Sequence, residues 1–424
     1  MTTPSTPRRP APATHQSPEA ASPAALVAVR RIFATETRNF FLLLGTTLFM
    51  VAFGLVMVLS SSSVESHLEN QSFFYAFGRQ FLYALFAIPL MLIASRMPIA
   101  FWKRMSRPAI MLGLGLQLLV FSPLGYESGG NRNWIIIGPI NAQPSEVVKL
   151  ALIVWIAFVL TRANADPNDP KKLLVPVGAA SLVSIGLVLV GRDLGTAIIM
   201  LFIVFGCLYF AGIAIRYLVA AGAVIAVFGV MFAFASSSRT DRINSWISGC
   251  TEKDYYDFCW QPMHGTWALA SGGIFGVGLG NSKAKWSWLP EADNDYIFAI
   301  IGEELGLIGA IVVLVLFVVL AIAFVRVIRA NRDPFARIVT SGVMVWIIGQ
   351  ALVNIAVVLG LLPVLGVPLP LVSAGGSALI SSLLSIGVVL SFARKTPDFS
   401  EAAIELSPAE RSRRAASARV QSRS

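Results

Sequence analysis

The sequence predicts an all-α membrane protein of about ten transmembrane helices, with both termini cytoplasmic and a long outward loop between spans 7 and 8. Three observations predict it. Of the 424 residues, 56% are hydrophobic and only 13% charged, against roughly one quarter charged in an ordinary soluble domain, and the mean hydropathy is +0.72. The apolar residues fall in separate runs that reach the roughly 20 residues a helix needs to cross about 30 Å of hydrocarbon. Clusters of Lys and Arg recur in alternate connections between those runs.

Residues 1–37 are rich in Pro, Ala, Thr and Ser and lack the apolar core and cleavage site of a signal peptide, so they read as a disordered cytoplasmic tail. Spans are expected to begin near Phe40, Phe73, Ala109, Glu146, Leu173, Leu194, Tyr217, Tyr296, Ile338 and Leu371. Arg30, Arg31 and Arg38 precede the first. Lys103, Arg104 and Arg107, then Arg162, Lys171 and Lys172, then Arg216, then Arg326, Arg329, Arg332 and Arg337 occupy alternate connections, and Arg394 and Lys395 follow the last. All of these clusters share one face, which the positive-inside rule makes cytoplasmic. The membrane domain therefore covers 38–394, and residues 395–424 form a second, basic disordered tail. Because the net charge of +10 resides mostly in tails and short connections, it describes topology and predicts no nucleic-acid partner.

The opposite face carries three outward segments: Gly125 to Ser145, a loop of about 60 residues from roughly Ala235 to Asp295, and Leu361 to Gly376. A loop that long is either functional or disordered. Trp246, Trp260, Trp267, Trp286 and Trp288 argue against disorder. Short amphipathic or re-entrant pieces lying against the membrane surface are expected instead.

In the first segment, Ser145 is placed to cap the fourth span, and Glu146 and Lys149 at i and i+3 share one helical face. They form either a local ion pair or, since intramembrane Lys is costly, a site for a phosphate-bearing ligand. Asp193 opens the sixth span, as a helix cap or as a catalytic group. Glu303 and Glu304 lie about two turns below Asp295; neighbours on a helix point apart, so polar lining or structure suits them better than acid–base work. The long loop carries the glycine run Gly272 to Gly280, then Lys283, Lys285 and Asp295. Glycines supply amide donors to phosphate or simply pack a re-entrant turn; Lys283 and Lys285 are placed to hold a pyrophosphate. At the boundary of an apolar helix, Asp295 is partly desolvated, which raises its basicity toward that of a general base. No Walker loop, dinucleotide fingerprint or metal-spaced His/Cys cluster is present, so the substrate must supply the energy of any reaction. Cys207 lies in a span as an inert core residue, whereas Cys250 and Cys259 share the outward loop, where an oxidising environment would favour a disulfide.

Five ordered elements give the chain a family likeness: Arg132 to Trp134; Gln143-Pro144-Ser145-Glu146 to Lys149; Asp193-Leu194-Gly195-Thr196; Leu289 to Asp295 with Gly302-Glu303-Glu304-Leu305-Gly306; and Leu362-Pro363 through Ser373-Ala374-Gly375-Gly376-Ser377. Over Phe40 to Arg394 the chain resembles the SEDS family, ten-span glycosyltransferases of cell-wall synthesis. The resemblance implies polymerisation of lipid II into glycan strands at the outer face of the cytoplasmic membrane, with Asp295 as general base. Arg132, Lys149, Arg242 and Lys285 are then the cations for the pyrophosphate leaving group, with Glu146 beside them and Asp193, Asp293, Glu303 and Ser373 as supporting residues. It names no certain cofactor, although a divalent cation, magnesium or manganese, would suit the same task. It implies a class B penicillin-binding protein, the septal transpeptidase, and other divisome membrane proteins as partners. Leu369 to Gly376 and Ala393-Arg394-Lys395-Thr396-Pro397 are more similar to division members, which act at the septum, than to elongation members.

The chain departs from the family pattern at Gly191-Arg192, Leu365 and Ala374, and it carries an extra carboxylate, Asp293, two residues from Asp295. A lipid II flippase or transporter would share the span count but should place polar groups at the midplane and show an internal repeat. A scaffold that recruits the transpeptidase would need Asp295 only as a helix cap.

Overall fold

The computed structural model describes residues 37–68, 72–128, 130–138, 140–162, 170–233, 237–249, 255–286 and 288–394. Apart from Thr37, the two predicted tails lie outside these residues, which form one unit from Thr37 to Arg394. The described helices are α1 (Arg38–Leu68), α2 (Tyr75–Ala94), α3 (Ile99–Leu119), α4 (Pro144–Leu160), α5 (Pro170–Val190), α6 (Leu194–Phe210), α7 (Ile215–Ala233), α8 (Ser237–Ser248), α9 (Trp260–Gly272), α10 (Ile297–Ala330), α11 (Pro334–Val358) and α12 (Gly376–Ala393). By length and composition, α1, α2, α10, α11 and α12 suffice to cross a membrane, and α5, α6 and α7 contribute shorter apolar helices.

A helix lies at every predicted start, with two displaced boundaries. α3 begins at Ile99, ten residues before Ala109, because its basic first turns are helical too. There Lys103 meets Asp333, the N-cap of α11, at 2.7 Å. α12 begins at Gly376 and not at Leu371, whose backbone is left-handed (φ 67°) and which belongs to the preceding loop. The fourth span is capped at Gln143, with Pro144 at the first helical position; Ser145, the expected cap, lies inside the first turn.

The all-α expectation needs one correction. Between α3 and α4 the chain forms a three-stranded antiparallel sheet, β1 (Gly125–Ser128), β2 (Asn131–Ile137) and β3 (Ile140–Ala142), in that order. Ile135 pairs with Gly125 on one side and with Ala142 on the other. The consecutive β-branched residues Ile135 to Ile137 favour extended backbone, and at the end of the bundle no helix competes for them. Two helices of the core, α4 and α11, are buried along most of their length, and α11 packs on α6, α4 and α10.

The long loop holds α8, α9 and a glycine turn that docks on a break in α10. Gly306 has φ 68° and ψ −165°, so the helix stops and restarts there. The break frees carbonyls on one side and amides on the other, groups that hydrocarbon cannot satisfy. The glycine turn satisfies them: Val277 and Gly278 donate to the carbonyls of Glu303 and Glu304, while Leu307 and Ile308 donate to those of Gly273 and Ile274. Gly276 (φ 81°) and Gly306 meet back to back, so a Cβ on Gly306 would fall 2.4 Å from the Gly276 amide nitrogen. Gly306→Ala is therefore expected to lose about 1–3 kcal/mol from backbone conformation alone, with the steric clash in addition. A thermal midpoint equal to that of the parent chain in detergent would show that the break does not require glycine.

Candidate active site

The N-terminus of α6 organises one side of the site. Asp193 caps that helix: its Oδ1 accepts from the Thr196 amide (2.9 Å) and its Oδ2 from the Thr196 hydroxyl (2.9 Å). The same Oδ2 accepts from Asn133 Nδ2 (2.9 Å) on β2 and from Gln143 Nε2 (3.0 Å) ahead of α4. A backbone bond from Arg132 to the Gly191 carbonyl (2.9 Å) ties the sheet to this corner. Four hydrogen bonds commit the buried Asp193 carboxylate to structure.

The loop before α12 holds the other side. Ser373 Oγ donates to the Asn294 carbonyl (2.7 Å), the Ala374 amide to the Asp293 carbonyl (2.8 Å), and Gln80 of α2 to the Ser373 carbonyl (3.1 Å). Asn354 Nδ2, inside α11, donates to the carbonyls of Asp295 and Val367, both at 2.7 Å. One turn earlier, Gln350 Nε2 donates to the Pro368 carbonyl (2.9 Å). These bonds immobilise the backbone on both sides of Asp295.

The Asp295 side chain is treated differently. It is half-buried, and its carboxylate accepts no hydrogen bond from the described residues. The N-cap of α10 is Tyr296, without a side-chain cap, so Asp295 does not serve the helix end. Burial, then the charges of Glu291, Asp193 and Asp293, push its pKa up from 3.8 to about 7. Burial and the Asp295 charge also raise the Tyr296 phenol, against which Arg242 of α8 acts, so Arg242 lies within electrostatic reach of this corner. Trp246 of α8 donates to the Gly360 carbonyl (2.9 Å) and holds that helix over the end of α11. Three left-handed non-glycine residues, Arg192, Glu291 and Leu371, fall in the three segments that converge here, as strained backbone often does at functional sites.

The expected cations divide into two groups. Lys149 is buried and bonded to Glu146 Oε1 (2.8 Å) and Gln350 Oε1 (3.1 Å), with the Trp346 ring 4.6 Å away. Lys285 is buried against the carbonyls of Gly280 and Ser60 and the Glu304 carboxylate (3.4 Å). Neither ammonium faces an open site: each is held by an internal anion. Glu146 keeps Oε2 without a partner among the described residues. Arg132 directs Nε and Nη2 to the carbonyls of Val120 and Ser122 at the end of α3 (3.1 and 3.0 Å). Arg242 and Lys283 are exposed.

Glu303 and Glu304 do point apart. Glu303 accepts from Ser282 Oγ, the Lys283 and Ala284 amides and Ser271 Oγ; Glu304 accepts from Ser60 Oγ and Lys285. Asp293 is half-buried. Cys259 is disulfide-bonded, while Cys250, its expected partner, lies outside the described residues. No group of three His, Cys, Asp or Glu suited to a metal occurs among the described residues.

Asn354 and Gln350 belong to none of the sequence motifs, and Asn133 and Glu291 enter only as members of motif elements, without a role. Asn354 and Gln350, four residues apart in an otherwise apolar span, carried a usable signal, since intramembrane polar groups are costly and therefore placed. The influence of Glu291 depends on its left-handed turn, which the sequence does not display.

The family model described as "Cell cycle protein", FTSW_RODA_SPOVE, matches residues 40–397. A probable peptidoglycan glycosyltransferase FtsW of Mycobacterium tuberculosis is 36% identical over 361 residues, covering 85% of this chain and 68% of that protein. Its counterpart in Coxiella burnetii is 34% identical over 355 residues, covering 82% and 95%. Among solved structures, a chain of a peptidoglycan synthase complex that coordinates polymerization and crosslinking superposes with a TM-score of 0.67 at 24% identity, covering 83% of this chain and 96% of that one. The rod shape determining protein RodA of Thermus thermophilus gives 0.61 at 25% identity, with the same coverage.

The raised Asp295 sets a stability dependence. Its folded form is protonated where the unfolded chain is already ionised, so stability falls as pH rises from about 4 to about 7. Asp295→Asn removes that penalty, and its thermal midpoint should exceed the parent's by more at pH 8 than at pH 5. Equal gaps at the two pH values would contradict the raised value.

Proposed function

The chain belongs to the cell cycle protein family FTSW_RODA_SPOVE, and from that membership and the site around Asp295 we infer that it is a multi-pass membrane enzyme, a peptidoglycan glycosyltransferase. α1 to α7 and α10 to α12 are its ten spans, with α8, α9, the sheet and Asp295 on the outer face and both tails in the cytoplasm. The basic residues support this orientation: Lys103 and Arg104 of α3, Arg216 of α7 and Arg329 of α10 lie at the ends away from Asp295. The substrate is lipid II, and the enzyme acts at the division septum beside a class B penicillin-binding protein and other divisome membrane proteins.

One observation carries the assignment of the base: among the carboxylates at this end of the bundle, Asp295 is held by its backbone and left free at its side chain. Asp193, Glu303 and Glu304 are saturated with internal donors. A base must accept a proton from substrate, so a carboxylate already bonded on both oxygens is poorly suited to the task. With a pKa near 7, Asp295 is both substantially ionised and appreciably basic at neutral pH. It takes the proton from the 4-hydroxyl of the acceptor sugar as that oxygen attacks the anomeric carbon of the donor. The glycosidic bond forms, the bond to the undecaprenyl pyrophosphate breaks, and the electron pair leaves with the phosphate oxygen. Arg242 and Lys283, exposed cations of the outer loop among the described residues, stabilise the departing charge. Lys149 and Lys285 act from within, by fixing Gln350 and the glycine turn.

With lipid II and the partner in detergent, Asp295→Asn should reduce glycan polymer at least about a hundredfold, while Asp293→Asn retains polymer. Gel analysis of the strands reads both. Polymer at the parental level from Asp295→Asn would remove the base assignment.

A further inference from the structure

Beside the reaction centre, on the same loop, four aromatic rings gather around one imidazole and a fifth, Tyr256, stacks on them. His264 of α9 is only 5% exposed. The rings of Trp260, Trp267, Trp288 and Tyr255 surround it with centroids at 4.1, 4.8, 5.7 and 6.2 Å. Trp260 lies nearly parallel to Trp288 (12°, 6.0 Å) and to Tyr256 (22°, 5.8 Å). The outer members present open faces: Tyr256, Trp288 and Trp267 are 82%, 53% and 49% exposed.

The imidazole is half-satisfied. Its Nδ1 lies 2.7 Å from the Trp260 carbonyl, which only accepts, so Nδ1 carries a proton and donates it. In the neutral ring Nε2 is then an acceptor, and it is buried with no partner among the described residues. Such an acceptor can take a donor from a bound group. Interfacial tryptophans that merely mark headgroup depth need no such group at their centre. Open ring faces around one orphan acceptor suit a ligand with an apolar face and hydroxyl or amide donors at its rim. A pyranose ring with an acetamido substituent has that character.

The cluster is also coupled in space to the site. Gln261 Nε2 donates to the Pro290 carbonyl (3.1 Å), and Gly265 abuts the Tyr296 ring so closely that a Cβ there would lie 2.5 Å from it. α9 is thus fixed against the segment that carries Asp295. We propose that the rings around His264 form a glycan-binding platform that takes N-acetylhexosamine units of the strand next to the reaction centre. This rests on the peptidoglycan reading given above.

The test uses the full chain in lipid nanodiscs and a soluble β-1,4-linked N-acetylglucosamine tetramer, followed by saturation-transfer NMR. The tetramer should bind saturably; Trp288→Ala should weaken it about tenfold or more, and Trp288→Phe should restore most of the affinity. Thermal midpoints equal to the parent's establish that these variants fold. No binding to the parent chain, or equal binding by Trp288→Ala, overturns the platform. The Asp295→Asn variant separates the two readings: it should still bind the tetramer through Trp288. If it also still polymerises, the base assignment fails while the platform stands.

Discussion

Inside hydrocarbon a backbone polar group has no water to turn to, so any break in a helix must be closed by protein. That constraint shapes the outer half of this molecule. The break at Gly306 is closed by the turn Gly273 to Gly278, and closing it fixes α9 and the residues leading to Asp295. The glycine run is thus a structural seam, one of the two readings its composition allowed. The same rule extends to side chains. Lys285, Glu304 and Ser60 satisfy one another beneath the turn, and near the start of α4 Lys149 is held by Glu146 and Gln350.

Against that background, the exception carries the function. Asp193, Glu303 and Glu304 are consumed by internal donors. Asp295 is anchored through its carbonyl, and its neighbours Asp293 and Asn294 through theirs. Its carboxylate is surrounded by other negative charges and little water, the circumstances that raise a pKa. The cost falls on stability, a trade common where a reactive group must be kept poised. Left-handed backbone at Arg192, Glu291 and Leu371 adds to that cost in the same three segments.

Much of this was legible in the sequence because bilayers impose coarse, strong rules. Length and apolarity located the helices, and the boundary position of Asp295 foretold a desolvated carboxylate. What the sequence leaves hidden has physical causes. It shows the presence of Lys149 and Lys285 but not their internal partners; Gln350 lies 201 residues from Lys149, and Glu304 on the far side of the glycine turn. The small sheet was missed because its strands are only four, seven and three residues long, within reach of any turn-rich segment. The aromatic cluster could be counted as tryptophans but not assembled, since its rings come from α9 and from two separate stretches of loop.

The pH dependence of polymerisation tests the central claim most directly. Protonated Asp295 cannot accept a proton, so turnover with lipid II should fall on the acid side with a limb near pH 7. Glu291→Gln, which removes the largest neighbouring charge, should move that limb to lower pH while leaving the plateau. A limb near pH 4, where an ordinary carboxylate titrates, or one indifferent to Glu291, would contradict the account.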